Sequence, residues 1–576
     1  MTDSRNVHSK RCNVVCDAIG MPRASGAAFV RHVLDRYNVR DPRGAGEAVG
    51  PSISYLLFAA FLGRVPRECE VAPLLLACKA GDCEDIARFF FALPEFHAAE
   101  KRGRTLVVPP SDALVVDVTH TMGYRHTSGI QRVVRSLCDA LCSRGTTPTF
   151  VRYCRASQSF LPLSATELGG MVCPRQDSSR KLLFSQATSN RIKNAKAYFK
   201  RSVPEPVARF ASSAVRGLKR LTKGCVRTCQ RLASAWKRLY SHATTWSHDK
   251  ESVFIWNHTV LLPELIADPH HIDALTLVLT SSATRSTLIV YDLLPIQRPE
   301  WFPPTLVGKY VAYLTLLRHV DAISCISGVV HDDLMKLMPL ICRSKPAPLI
   351  AHHYLGADFA AASHSSHLVT SLTLPVVLCV GTIEPRKNQA RVLEAMMRAQ
   401  QRGCRFTGVF VGNAGWLNGH FRACLQDAIR QGCDIRLHEH ASDADLAALY
   451  RASACTIYCS LAEGFGLPVI ESVMRRRPCI TSDRGSMKEI GEQIGGCVFV
   501  DPENADDIAG AIQRLLEDTE ASAGVVSAAA RATWTTWQEY GTAIRNFAER
   551  AEHETSFGRA PGIATFDSDG YLKRTA

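Results

Sequence analysis

Two glutamates stand eight residues apart in the stretch Glu463-Gly-Phe-Gly-Leu-Pro-Val-Ile-Glu471. The apolar run 454–459 before them predicts a buried strand, and Pro468 is typical of the first turn of a helix. A helix N-terminus offers unpaired N–H groups and a partial positive charge, so it can hold a phosphate. Taken alone, the pattern also fits an ordinary strand–loop–helix corner with a surface glutamate at each end.

A second loop carries the opposite charge. It reads Gly381-Thr-Ile-Glu-Pro-Arg386-Lys387-Asn388 and follows the apolar run 376–380, which predicts another strand. Asn388 suits the N-cap of the amphipathic helix that comes next. An arginine fork beside a lysine at the end of a strand fits a diphosphate.

In this order and spacing, the two motifs resemble the nucleotide-sugar site of family 4 glycosyltransferases, which have the GT-B fold. The resemblance implies that Glu471 binds the ribose hydroxyls, while Glu463 and the loop after it hold the donor sugar. It also implies that Arg386 and Lys387 counter the charge of the diphosphate. The residues assigned to the donor in these two motifs are Gly381, Arg386, Lys387, Glu463, Gly464, Phe465, Gly466, Leu467 and Glu471. The glycines at 464 and 466 would let the backbone approach the ligand closely.

A glycine loop also stands at the first predicted strand–helix corner. Strand 114–118 is followed by residues 119–132, which end in Ser-Gly129-Ile-Gln-Arg132 and lead into a helix. Doubly wound folds place a ligand loop at such a corner, and the sequence is similar to the family loop that faces the donor phosphates. Gly129 is therefore a donor-site candidate, with a plain turn glycine as the alternative.

The run from Tyr291-Asp292 to Phe302 resembles a segment of bacterial mannosyl- and rhamnosyl-type members of this family. In many relatives the residue before the aspartate is a histidine that lines the cleft. Tyr291 departs from that pattern and puts the role of the position in doubt. Asp292 is a candidate for acceptor contact and catalysis beside Glu463, Arg386 and Lys387. A structural Asx turn is its alternative.

The expected fold class is α/β, a GT-B architecture of two Rossmann-like domains facing a cleft, with a small N-terminal all-α domain and a basic helical insertion. The stretches Leu62-Gly-Arg-Val-Pro66 and Leu93-Pro-Glu-Phe96 lie in a pattern of short helices. They resemble a small helical domain of unassigned function that is often fused to bacterial glycosyltransferases, although a generic helical hairpin fits as well. The expected boundaries are an irregular segment 1–50, a helical domain 51–105, an acceptor-side domain 110–365 with the insertion 185–250, a donor domain 370–530, a crossing helix 531–552 and a disordered tail 553–576.

Composition is that of an ordinary globular protein, with 46% hydrophobic and 21% charged residues among 576. No stretch reaches the ~18 to 20 apolar residues of a membrane span, and the N-terminus lacks the apolar core of a signal peptide. The 21 cysteines form no metal-binding or disulfide framework. Asp567 and Asp569 spell a metal-binding D-x-D but lie outside any α/β unit, and neighbouring His352 and His353 would point to opposite faces of a strand. We therefore expect a cytoplasmic protein without a metal or other cofactor.

One segment carries nearly all of the net charge of +14. Residues 191–238 contain fourteen lysines or arginines and a single acid, Glu205. Apolar residues at 3–4 spacing, including Trp236, predict a basic amphipathic helix, which suits an anionic membrane surface. We expect residues 191–240 to bring the protein to the inner face of the membrane. A solvated basic helix packed on the domain is the alternative, and nucleic-acid binding ranks last because no nucleic-acid motif accompanies the charge.

The resemblance implies a retaining glycosyltransferase that moves a sugar, with mannose as our guess, from a GDP- or UDP-linked donor to a glycan or lipid-linked acceptor. Synthesis of a bacterial surface polysaccharide or lipopolysaccharide is the expected setting. Two other classes stay open. One is an inactive GT-B membrane adaptor, which Tyr291 would favour; the other is a GT-B epimerase or phosphorylase.

Overall fold

The computed structural model describes residues 4–37, 50–80, 82–123, 129–143, 147–172, 250–281, 284–342, 347–357, 367–370, 372–556, 564–566 and 572–574. The expectations for the basic segment 191–240, and for the insertion 185–250 except its last residue, lie outside the described residues. Within the described part, no helix is long and apolar enough to cross a membrane. No cluster of three or more potential metal ligands occurs there either.

In the described N-terminal residues, helix α3 is buried and five other helices pack around it. These six helices are α1 (Ser4–Ala18), α2 (Gly26–Arg36), α3 (Gly50–Leu62), α4 (Glu68–Ala80), α5 (Cys83–Ala92) and α6 (Pro94–Lys101). Every residue of α3 from Ile53 to Leu62 is buried. A helix that is apolar on all faces must be covered on all sides, and α1, α2, α4, α5 and α6 all contact it.

The expectation of an irregular segment over 1–50 is wrong for the described residues, because α1 and α2 lie there. The buried apolar positions of α1 are Cys12, Val15 and Cys16, which follow helical spacing, and Ile19 continues this stripe just after the helix. This stripe is short and set among polar residues, so the sequence alone is only a weak indication of a helix. Packing against α3 stabilises the helix, and local propensity contributes little.

The helical region is joined to the next domain by direct contacts. Tyr55 of α3 stacks on Phe254 and exchanges hydrogen bonds with the backbone of Ile255, at 3.2 and 3.3 Å. Ser52 Oγ donates to the carbonyl of Ser281 at 2.7 Å. A two-stranded parallel sheet of β1 (Thr105–Val107) and β5 (Glu251–Val253) lies beside this contact.

The first α/β domain contains a seven-stranded sheet in the order β4-β3-β2-β6-β7-β8-β9, parallel except for the β3–β4 pair. Its strands are β2 (Val115–Asp117), β3 (Thr149–Cys154), β4 (Ser159–Pro162), β6 (Thr259–Leu262), β7 (Arg285–Val290), β8 (Ala322–Cys325) and β9 (Leu349–His352). Its helices are α7 (Thr119–Gly123), α8 (Gly129–Cys142), α9 (Ala165–Val172), α10 (Pro269–Ser281), α11 (Leu294–Gln297), α12 (Pro304–Leu314) and α13 (Gly328–Ile341), followed by the short α14 (His367–Thr370).

The second α/β domain is a six-stranded parallel sheet in the order β12-β11-β10-β13-β14-β15. Its strands are β10 (Val376–Val380), β11 (Thr407–Val411), β12 (Ile435–His438), β13 (Ser453–Tyr458), β14 (Cys479–Ser482) and β15 (Cys497–Val500). Its helices are α15 (Gln389–Gln401), α16 (Gly419–Arg430), α17 (Asp443–Ala452), α18 (Leu467–Met474), α19 (Gly485–Ile494), α20 (Ala505–Glu517) and α21 (Thr519–Arg531). Two Rossmann-like sheets facing each other make this a GT-B fold.

A last helix, α22 (Trp537–Ser556), returns to the first domain. Gly541 lies so close to α8 that a Cβ there would meet the side chain of Ala140 at 2.9 Å. Phe547 packs against Ala322 of β8. In the tail that was expected to be disordered, the described residues 564–566 and 572–574 form two paired antiparallel strands.

Arg11 offers a test of how the helical region is held. It is 0% exposed and donates to the carbonyls of Ala60, Phe61 and Arg104, and it forms an ion pair with Glu100 at 2.6 Å. We expect Arg11→Met to destabilise the region by about 3 to 5 kcal/mol, because it strands a buried carboxylate. Thermal denaturation followed by circular dichroism measures the loss.

The matched control is Arg23→Met, since Arg23 forms its ion pair with Asp17 at the surface. Its melting temperature should equal that of the wild type. Equal melting temperatures for both variants would contradict a structural role for Arg11.

Candidate active site

The two charged loops meet because they leave neighbouring strands of the second sheet. β10 leads to Gly381 and the basic pair, while β13 leads to Glu463, and the two strands pair in parallel. Parallel neighbours end at the same edge of a sheet, where α/β folds bind ligands. This edge faces the first domain, because Gly464 lies against the carbonyl of Tyr291.

Glu463 is the centre of a buried charge cluster. Its carboxylate pairs with Nη1 of Arg386 and lies 2.5 Å from Nζ of Lys387. The hydroxyl of Tyr458 donates to Glu463 Oε1 at 2.9 Å and accepts from Lys387. Arg386 Nε also lies 2.8 Å from Glu384 Oε1, an ion-pair contact without hydrogen-bond alignment. The two loops therefore hold two cations next to the acids that neutralise them.

The pKa values show how strongly these groups depend on each other. Burial by itself raises the pKa of Glu463, but Arg386 and Lys387 together hold it at about 2. Burial lowers the pKa of Lys387, and Glu463 opposes that shift. Burial raises the pKa of Glu384 against the pull of Arg386.

Asp292 lies directly after β7 at the same cleft. Its Oδ1 accepts the N–H of Leu294 at 3.2 Å, so the Asx turn is present. Tyr310 donates to the Asp292 carbonyl. Burial raises the pKa of the carboxyl, while Arg386 across the cleft lowers it. The turn therefore holds the carboxyl within electrostatic reach of the charge cluster.

The side chain of Tyr291 does not line the cleft, although its backbone carbonyl contacts Gly464 there. Its ring is 8% exposed, and its hydroxyl donates to the carbonyl of Pro263 at 2.7 Å inside the first domain. The phenol is thus held within its own domain, away from the donor loops.

A buried acid cluster that the sequence did not reveal lies between the end of β2 and the start of α7. Asp117, at the end of β2, lies 2.6 Å from Nε2 of His271. Glu264 accepts the backbone N–H groups of His120 and Thr121 at 2.6 and 2.7 Å. Burial and the nearby Asp117 raise the pKa of Glu264 to about 7. These contacts hold the start of α7 at the end of β2.

The four loop glycines meet different structural demands. A Cβ on Gly464 would lie 1.8 Å from the carbonyl oxygen of Tyr291, so the contact between domains requires glycine. Gly466 has φ +116° and precedes α18. Gly381 has φ +149°. Gly129 begins α8, and a Cβ at this position would meet nothing within 4 Å, so the surrounding space does not demand a glycine there.

Phe465 and Leu467 complete the loop. Phe465 is buried and contacts the rings of Tyr354 and Trp534, so it packs into the seam between the domains. Leu467 is the first residue of α18. Both backbone positions lie at the helix N-terminus that the sequence predicted.

Glu471, one turn into α18, contacts two residues that sequence reasoning did not assign to the site. Its Oε1 lies 2.5 Å from Nη1 of Arg132 in the first domain, and its Oε2 accepts from the hydroxyl of Tyr450 at 3.0 Å. Its side chain is 5% exposed. Arg132 could have been found from the sequence, because it belongs to the glycine-loop motif. Tyr450 could not, because its position in α17 is that of an ordinary core residue.

Residues 365–532 match the family model of glycosyl transferases group 1. The second α/β domain is a group 1 glycosyltransferase domain. The match includes both charged loops and Glu471 but stops short of the first domain's described strands.

Curated relatives match over parts of the chain of different length. A serotype-specific mannosyltransferase, WbdA, of Escherichia coli is 29% identical over 291 residues, which cover 48% of this chain and 34% of the relative. O-antigen chain mannosyltransferase B of Escherichia coli is 32% identical over 142 residues, 24% of this chain and 36% of the relative. The chain thus spans about a third of the length of each relative. A solved glycosyltransferase from Rickettsia africae covers 77% of this chain and 98% of its own, with 12% identity and a TM-score of 0.44.

The low pKa of Glu463 makes the stability of the glycosyltransferase domain depend on pH. A carboxyl whose folded pKa of about 2 lies below its ordinary 4.5 stabilises the fold above pH 4.5 and loses that effect as pH falls toward 2. We expect Glu463→Gln to cost on the order of 3 kcal/mol at pH 7 and much less near pH 2. Urea unfolding of both proteins across this range measures the difference.

Glu492→Gln is the control, because Glu492 lies exposed on α19 with a distant lysine partner. Its stability should follow the wild-type pH curve. Parallel curves for wild type and Glu463→Gln would contradict the assigned pKa.

Gly464→Ala tests the contact between the domains. The added methyl group would collide with the Tyr291 carbonyl, so we expect the domains to separate, with a larger radius of gyration in small-angle scattering and a lower melting temperature. Gly419→Ala is the control, since nothing lies within 4 Å of its Cβ position. An unchanged radius of gyration for Gly464→Ala would show that the cleft tolerates the methyl group.

Proposed function

We propose that this glycosyltransferase moves a sugar from a nucleoside-diphosphate donor to an acceptor hydroxyl with retention of the anomeric configuration. The observation that carries the proposal is the buried contact of Arg386 and Lys387 with Glu463 at the edge of the second sheet. Cations held at a ligand-binding edge suit a leaving group that gains negative charge. Glu471, one helical turn into α18, supplies a carboxylate for the ribose hydroxyls.

In the proposed reaction, the bond between the anomeric carbon and the diphosphate oxygen breaks, and the diphosphate leaves with the electron pair. The acceptor oxygen forms the new bond on the same face, and its proton passes to the departing phosphate oxygen. Arg386, Lys387 and the N-terminus of α18 stabilise the developing charge. Asp292 orients the acceptor hydroxyl. No metal and no covalent nucleophile is required.

Mannose is the proposed sugar, from a GDP- or UDP-linked donor. The support is the printed activity of the relatives, since both Escherichia coli proteins are named mannosyltransferases. One of them is named for the O-antigen chain, which supports a growing glycan or lipid-linked acceptor of a surface polysaccharide. The acceptor would enter from the side of the first domain, where Asp292 lies.

We also propose that residues 191–240 bind an anionic membrane surface. The support is the charge of the segment, because each cation near such a surface adds about 1 kcal/mol. Binding to the membrane would bring the enzyme close to a lipid-linked acceptor. The enzyme would then work at the inner face of the cytoplasmic membrane.

The test is a panel of nucleotide sugars in a thermal-shift assay, followed by a transfer assay with the stabilising donor. We expect one donor to raise the melting temperature of the wild type, and Lys387→Ala and Glu471→Gln to lose at least nine-tenths of that shift, because each removes a charged contact. Lys488→Ala, an exposed lysine of α19, is the control. Activity should survive EDTA.

Other outcomes would overturn the proposal. Donor binding without transfer to any glycan or lipid-linked acceptor would favour the inactive membrane adaptor. The direction of Tyr291, whose hydroxyl points into the first domain, is the observation that favours this alternative. A changed sugar nucleotide in the absence of acceptor would favour an epimerase. If no donor stabilises the wild type, the proposal that the protein is an enzyme is contradicted.

A further inference from the structure

Arg132 joins the two domains at the donor site. It lies one turn into α8, whose first residue is Gly129. Its Nη1 reaches 2.5 Å to Oε1 of Glu471, which lies one turn into α18 of the other domain. The contact therefore brings the N-terminal turns of two helices from opposite sides of the cleft next to each other. Each N-terminal turn carries a partial positive charge.

The two partners of this contact have different surroundings. The Glu471 side chain is 5% exposed and is also bound by Tyr450, whereas 45% of the Arg132 side chain is exposed. Among the described residues, Arg132 forms its hydrogen bond through Nη1 alone. Glu471 thus anchors one edge of the guanidinium, and Nη2 and Nε remain available to a ligand in the cleft.

The charge balance shows why a further cation matters. Arg386 and Lys387 are already surrounded by acids, with Glu463 in contact with both and Glu384 beside Arg386. A diphosphate with two or more negative charges needs more positive charge than this compensated pair provides. A guanidinium that is anchored at one edge can bind phosphate oxygens with the other at little entropic cost.

We propose that Arg132 binds the diphosphate of the donor from the first domain, with Glu471 as its anchor. This inference rests on the proposed function and extends it. Donor binding then requires the two domains to be together, because the diphosphate is held by Arg386 and Lys387 from one side and by Arg132 from the other. The ribose shares Glu471 with Arg132, since each carboxylate oxygen can accept more than one hydrogen bond.

The experiment compares Arg132→Gln, Arg132→Lys and wild type in calorimetric titrations with GDP and UDP, and with guanosine and uridine by competition. We expect Arg132→Gln to weaken the nucleoside diphosphate about tenfold or more, and to leave the nucleoside within about twofold. Arg132→Lys should recover part of the loss, because it keeps the charge but not the fork. Raising the salt concentration should weaken the wild type more than Arg132→Gln.

Arg135→Gln is the matched control, since Arg135 lies on the same helix and donates to the carbonyl of Gly170. It should bind both ligands as the wild type does. Melting temperatures of the free proteins show whether each variant is folded.

Three results would overturn the inference. Tighter diphosphate binding by Arg132→Gln would mean that the Arg132–Glu471 pair competes with the donor. Equal losses for nucleoside and nucleoside diphosphate would mean that Arg132 acts through Glu471 without touching phosphate. In both cases the wild type still binds nucleotide, so the proposed function stands. Absence of nucleotide binding by the wild type would overturn the proposed function as well.

Discussion

The charge cluster around Glu463 is the constraint on which the donor site depends. A buried carboxylate is tolerated because Arg386 and Lys387 neutralise it, and these cations are tolerated because Glu463 and Glu384 accompany them. Removing one member would leave the others buried without a partner. The loops after β10 and β13 must therefore keep their positions, and the pairing of these two strands fixes both.

The same loop also determines how the domains meet. Gly464 contacts the backbone of Tyr291. The carbonyl of Gly464 accepts a hydrogen bond from Ser327 Oγ at 2.7 Å. Close by, Glu489 of the second domain accepts the N–H groups of Gly328 and Val329, which begin α13 of the first. A carboxylate from one domain thus satisfies the helix end of the other. Site residues and the seam between domains are parts of one structure, so a change in the loop affects both.

Much of the site could be predicted from local sequence. Each of the two apolar runs is followed by a glycine loop. One loop carries a basic pair and the other a glutamate, so the opposite charges meet if the two strands are neighbours in the sheet. Tyr458 could not be predicted, because a tyrosine at the end of a buried strand looks like a core residue. The inward direction of Tyr291 could not be predicted either, since its hydrogen bond to Pro263 depends on packing. In the N-terminal region, α1 and α2 were missed because α3 stabilises them.

The sequence by itself determined the two α/β domains, their charged loops and the helix that has Pro468 in its first turn, because strand and helix periodicity and turn residues are local properties. Only the tertiary structure decided that Arg132 meets Glu471 and that Gly464 meets Tyr291. These pairs are separated by more than a hundred residues and lie on different domains. Their contact depends on how two independently formed sheets pack against each other, and no local pattern encodes that distance.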